Sequence, residues 1–205
     1  MSIRSFFKAI WTSLALLAVT ACGDVGKPTE VSGTDVNGEK IMSDSKSKVL
    51  VVYFSRSGRT RQVAHWIQEA AGADLLELKT VTPYPAGYSE VVKQARKEID
   101  ANFRPELSTK IENLAQYDII FVGTPNWWST MAPPVATFLT SYDFTGKKIV
   151  PFVTHGGGGE ARCASDMKPL CPQAVFLKPL AIRDGRVPES KNDVVTWTKA
   201  SLEQK

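Results

Sequence analysis

Six consecutive residues, Ser55, Arg56, Ser57, Gly58, Arg59 and Thr60, concentrate groups that bind an oxyanion. Three hydroxyls can donate hydrogen bonds, Arg56 and Arg59 bring positive charge with Arg61 just beyond, and Gly58 lets the backbone close around a ligand. Downstream, Val63, Ile67, Ala70 and Ala71 fall on one side of a helix. The run therefore opens a helix whose first amides lack intrahelical partners and carry roughly half a positive charge. That chemistry suits a phosphate, and each hydrogen bond to a charged oxygen contributes about 1.5–3 kcal/mol. A simpler arrangement, in which Ser57 or Thr60 only caps the helix in a tight turn, uses the same residues. Neither the GxxxxGK[ST] loop of nucleoside triphosphatases nor a dinucleotide-type GxGxxG occurs at this turn.

Two further segments could meet such a ligand. Thr124, Pro125, Asn126, Trp127 and Trp128 put two tryptophans in what reads as a loop, where large apolar faces are costly unless something covers them. Thr154 and His155 lead into Gly156, Gly157, Gly158 and Gly159, a bare stretch of backbone ahead of a helix start. A metal centre is not expected, because His65 and His155 are the only histidines and neither stands at ligand spacing from a cysteine.

The elements that must position these segments follow from hydrophobic periodicity. Residues 49–54, 118–123 and 149–154 are apolar runs suited to strands buried on both faces. Residues 74–81 read as a strand in which Leu76 and Leu78 alternate with Glu77 and Lys79, and residues 175–182 as a fifth strand. A helix is expected over 89–102, capped by Ser89, with Val91, Val92, Ala95 and Ile99 buried and its polar face solvated. Others are expected from Pro134 to about residue 142 and over 191–202. Alternation of this kind with short connections specifies an α/β fold, a three-layer, doubly wound, five-stranded parallel sheet. Ligands of such sheets sit beyond the carboxyl ends of the strands, at the topological switch point. The three candidate segments all follow strands, so they converge on one site.

The rest of the 205-residue chain concerns location and charge. Residues 1–21 have the pattern of a signal peptide: Arg4 and Lys8, an apolar run shorter than the ~20 residues of a membrane span, then Ala21 ahead of Cys22. This junction resembles the lipobox of bacterial lipoproteins, with Val19 where leucine is usual. It implies cleavage before Cys22, lipidation of that cysteine, and an extracytoplasmic protein held to a membrane through the lipid alone. Ordinary secretory cleavage would leave Cys22 unmodified. Gly23 displaces the acidic residue to Asp24 and leaves the target leaflet open. Residues 22–47 are rich in small and polar residues and read as a flexible tether, leaving 48–205 as the folded domain. Loss of Arg4 and Lys8 lowers the formal charge from +4 to +2, too weak a balance to suggest a nucleic-acid partner. Cys163 and Cys171 remain as an even pair in an oxidising compartment. One straight helix would hold them ~12 Å apart, but Pro169 and Pro172 end the helix early enough to allow a bridge.

Residues 51–67, VVYFSRSGRTRQVAHWI, satisfy the flavodoxin signature, and residues 48–203 resemble the flavodoxin-like family that binds flavin mononucleotide (FMN). TPYPAGYSEVV, GTPNWWSTMAPPV and THGGGG are similar to segments of small bacterial proteins of that fold. The resemblance implies strand order 2-1-3-4-5 and FMN as cofactor. It puts the flavin phosphate on Ser55, Ser57, Gly58, Arg59 and Thr60, with Arg56 beside it. The ring edge falls against Pro125, Asn126, Trp127 and Trp128 with Thr124 at the loop entry, and Thr154, His155 and Gly156 to Gly159 close the far side. No catalytic side chain is implied, because the flavin performs the redox chemistry. Two features depart from the better-known flavodoxins: the charge is slightly positive where theirs is strongly acidic, and the glycine loop lacks a stacking tyrosine. The second implies an accessible ring face for a nicotinamide or quinone. The implied function is electron transfer, as a carrier or as an NAD(P)H/quinone-type reductase. The resemblance leaves open the donor and acceptor, whether NAD(P)H, quinone or redox protein, and the choice between monomer and homodimer. The alternative is a non-redox binding module on the same fold, holding a phosphate-bearing ligand or a partner protein.

Overall fold

The computed structural model describes residues 47–204. The expected signal segment, Cys22 and all but the last residue of the expected tether lie outside the described residues. No helix among the described residues is long and apolar enough to cross a membrane.

Strand β1 (Val49–Tyr53) is buried along its whole length, and its period of two splits the core. Val49, Val51 and Tyr53 join Phe121 on one face, against Val63, Ala64 and Ile67 of α1 (Arg59–Ala71) and Val194 of α5 (Lys191–Leu202). Leu50, Val52 and Phe54 join Ile120 and Val122 on the other, against Val135, Phe138 and Leu139 of α3 (Pro133–Ser141). Removing a side chain such as Ile67 or Phe138 completely from water contributes about 1.5–3 kcal/mol.

On either side of β1 lie β2 (Asp74–Glu77) and β3 (Ile119–Trp127), both parallel to it. Beyond β3 comes β5 (Lys148–His155), whose outer edge pairs in parallel with β6 (Val175–Phe176) and β7 (Leu180–Arg183). Counting the last two as one interrupted strand gives the expected 2-1-3-4-5 order, so the doubly wound α/β class holds.

Several expected boundaries are corrected. The run 175–182 is two strands, because Pro179, and Pro151 on the neighbouring β5, have no N–H to continue the ladder. β2 stops at Glu77: beyond Leu78 the backbone turns away, and Thr80 forms an antiparallel bridge with Leu107. Helix α2 (Tyr88–Asp100) is preceded by Gly87 at its N-cap, and the Ser89 hydroxyl bonds the Glu90 carboxylate instead of capping. Of its expected buried stripe, Val91 and Ala95 are buried while Val92 and Ile99 are half-buried. Glu98 is buried as well, accepting hydrogen bonds from Tyr84 and Gln94.

Cys163 and Cys171 are both buried free thiols, so the candidate bridge is not formed. Helix α4 (Cys163–Met167) runs directly into a 3₁₀ turn (Lys168–Leu170), so the chain does not fold back between the two residues. The Cys171 thiol donates instead to the Met167 carbonyl at 3.5 Å.

Candidate functional site

The first site turn follows β1 where Phe54 N donates to Gly123 O at 3.0 Å. Gly58 adopts φ 87°, a left-handed conformation that any side chain would strain, and it is the N-cap of α1. The cap is made neither by Ser57 nor by Thr60. Ser55 Oγ accepts from the amides of Gly58 and Arg61, each at 3.2 Å, and thereby folds the turn upon itself. Arg59 and Thr60 open the helix ahead of its first intrahelical bond, Gln62 N to Gly58 O, so their amides are the unpaired donors of a helix start.

The side chains of this turn divide their work. Thr60 is 2% exposed, and its hydroxyl pairs with that of Thr154 at 2.9 Å, tying the first turn to the end of β5. The hydroxyl is thus engaged within the protein, and the amide is the group of Thr60 left without an intrahelical partner. Arg56 donates to Ala86 O at 2.8 Å and lies 5.8 Å from the Tyr88 ring, which binds the turn to the start of α2. Arg61 is tied to Glu77 in an ion pair, whose hydrogen bond holds the guanidinium above its ordinary range.

The second segment is not a loop. β3 continues through Pro125, Asn126 and Trp127 and pairs antiparallel with β4 (Thr130–Met131), leaving Trp128 and Ser129 as a two-residue hairpin turn. Both have positive φ, 52° and 66°, as a type I′ turn demands. A tryptophan in that conformation is strained, and it is held by Trp128 Nε1 donating to Val92 O at 3.1 Å and by Arg96 stacked 5.0 Å from its ring. Trp127 packs edge-on against Phe54 and Tyr84, with centroids 5.4 and 5.1 Å away. Thr124 is fully buried beneath the hairpin, accepting from Ala132 N at 2.9 Å, so its role is to support the hairpin from below.

The third segment is joined to the second. Asn126 Nδ2 donates to Gly159 O at 2.8 Å, and Gly159 N donates to His155 Nδ1 at 3.1 Å. Gly159 takes φ 66°, again the left-handed region.

All three segments border one cleft of about 460 Å³ at the carboxyl edge of the sheet. Arg56 and Ser57 border it from the first turn, Pro125 to Trp128 from the hairpin, and Thr154, His155 and Gly156 from the end of β5. Of the other residues expected to bind, Ser55, Gly58, Arg59 and Thr60 shape the turn behind Ser57, Thr124 lies underneath, and Gly157 to Gly159 continue the loop outward. Two contributions were missed. Tyr88, Val91, Val92 and Ala95 of α2 form an apolar wall, and Asp184, which follows β7, also lines the cleft. The sequence signal for Val91, Val92 and Ala95 is present, as apolar positions of an otherwise polar helix, but a buried stripe gives the same signal; Tyr88 precedes the expected helix. A separate hollow of about 510 Å³ lies beyond Arg56, between residues 54–56 and 77–86. Among the described residues no group of three or more His, Cys, Asp or Glu could hold a metal.

The cleft fits a phosphorylated polyol that carries a flat ring. Its volume lies within the usual range for small-molecule sites. Oδ1 of Asp184 is buried with no hydrogen-bond donor among the described residues, a costly state that the hydroxyls of a polyol chain would relieve. A Cβ at Gly156 or Gly157 would meet nothing within 4 Å, so the loop leaves open space along that rim.

A doubly wound parallel sheet with an apolar-walled cleft at its carboxyl edge is the arrangement in which α/β proteins place their nucleotide ligands. Residues 48–201 match the family model described as Flavodoxin, and the chain belongs to that family. Among solved structures, a flavoprotein from Bacteroides uniformis is 29% identical with a TM-score of 0.67, over 75% of this chain and 98% of that one. One from Bacteroides eggerthii is 27% identical with a TM-score of 0.62, over 72% and 98%. A flavoprotein from Lactobacillus acidophilus in complex with FMN is 25% identical with a TM-score of 0.58, over 70% and 97%. An NAD(P)H dehydrogenase (quinone) from Afipia carboxidovorans is 32% identical over 98 residues, which span only 45% of either chain.

Proposed function

We propose that this protein is an FMN-dependent redox protein, with the cofactor lying in the cleft between the hairpin and α2. The observation that carries this reading is the meeting of the three segments around one cleft, bordered by Arg56 and Ser57 immediately ahead of the start of α1. The amides of Arg59 and Thr60, with the Ser57 hydroxyl, would hold the phosphate. Asp184 would accept from the polyol chain, and the α2 wall and hairpin would hold the ring. When bound, FMN supplies electron storage and transfer, and the chain supplies orientation and electrostatics. Each tenfold preference for one redox form over another corresponds to ~1.4 kcal/mol, or about 59 mV for one electron.

Within that reading we favour a two-electron reductase acting with a nicotinamide or quinone over a one-electron carrier. The glycine loop, exposed at Gly156 to Gly158, and the partial likeness to a quinone-linked dehydrogenase support it. Stopped-flow mixing of the reduced protein with a quinone separates the two: a reductase delivers both electrons in one kinetic phase, a carrier in two. The lipobox-like junction at Cys22 supports an anchored, extracytoplasmic location. Radiolabelled fatty acid incorporated by the wild type and not by Cys22→Ala tests it.

A further inference from the structure

Three hydrogen bonds in series run from the hairpin to His155. Ser129 N donates to Asn126 Oδ1 at 3.0 Å, Asn126 Nδ2 to Gly159 O at 2.8 Å, and Gly159 N to His155 Nδ1 at 3.1 Å. A backbone N–H can only donate, so the His155 nitrogen that meets it is unprotonated and the ring proton sits on Nε2. His155 lines the cleft with Nδ1 already committed to its own loop, which leaves Nε2–H as the polar group it can offer a ligand.

We propose that Asn126 is a positioning residue that, through Gly159, holds the His155 ring with its proton on Nε2, where it can donate to an acceptor on the bound flavin. The proposal rests on the FMN reading above. A proton on Nδ1 would set two donors head to head and abolish the bond to Gly159. Among the described residues, the hydrogen bonds that tie residues 156–159 to other parts of the chain all pass through Gly159. Losing one of them therefore frees a stretch with no side chains to anchor it.

The test is ¹⁵N NMR of the histidine ring in the ligand-free full chain, with FMN fluorescence titration at neutral pH beside it. His155 should appear as the Nε2–H tautomer. His155→Phe, which removes the donor, should bind FMN about tenfold more weakly than the wild type. Asn126→Asp keeps the acceptor for Ser129 N but loses the donor to Gly159 O, and should show mixed His155 tautomers and weaker binding. An Nδ1–H tautomer in the wild type, an unchanged affinity in His155→Phe, or an unchanged Nε2–H tautomer in Asn126→Asp would overturn this proposal alone. Failure of the wild type to bind FMN would overturn the FMN reading with it.

Discussion

At the scale of single residues, backbone conformation and burial decide more than side-chain chemistry. Gly58 illustrates the first: a Cβ there would have room, its nearest neighbour being Arg61 Nη1 at 4.0 Å, so the glycine is required by φ 87° and not by space. Gly58→Ala should cost about 1–2 kcal/mol of stability, read as a lowered urea midpoint with unchanged slope. The two cysteines illustrate burial. It pushes the Cys163 thiol up to about 12, with Glu160 and Asp166 adding to the shift, and the Cys171 thiol up to about 11. Both folded values lie above the ordinary thiol range. Their contribution to stability is therefore complete at neutral pH and is lost as the pH rises from the ordinary range, ~8.5, toward the folded values. Iodoacetamide at neutral pH should label neither thiol in the folded protein and both in urea, and the urea midpoint should fall above about pH 9. Rapid labelling of the folded protein would show that the thiols are not buried as described. Asp184 could not have been found from sequence, because a lone carboxylate after a strand carries no pattern; only its missing donor marks it.

At the scale of elements, what was legible was whatever the local hydrophobic period dictates. β1, α1 and α5 are long, regular signals, and α5 occupies the expected residues 191–202. The misplacements share one cause, contacts distant in sequence that override local composition. Gly123, Thr124, Pro125 and Asn126 are residue types that ordinarily punctuate a strand, yet β3 runs through them because β5 pairs with it as far as Pro125 and Thr130 and Met131 return to pair with Asn126 and Trp127. The period of α2 identified its apolar face correctly and could not say that part of that face borders a cleft. The α2 wall gives a direct prediction. Val92 is half-buried on the cleft, so Val92→Trp should fill ligand space and weaken FMN binding more than about tenfold, with the thermal midpoint shifted by only a few degrees. An undiminished affinity in this variant would place the ring elsewhere.

At the scale of the whole molecule, the sheet brings chain segments about a hundred residues apart in sequence to one edge. The Thr60–Thr154 hydroxyl pair and the Asn126–Gly159 bond join all three site segments directly. Convergence was legible from the alternation of strand and helix, because parallel strands present their following turns at the same edge. The closeness of fit was not, since it depends on tertiary bonds between those turns. On the function proposed above, this edge holds a flavin by its phosphate and its ring together. Titrating the purified full chain into FMN and into riboflavin, with flavin fluorescence as the signal, tests it most directly. Saturable quenching of FMN at one site per chain, with riboflavin bound at least about a hundredfold more weakly for want of the charged oxygens, is the predicted result. No quenching of FMN, or equal affinity for the two flavins, would contradict it.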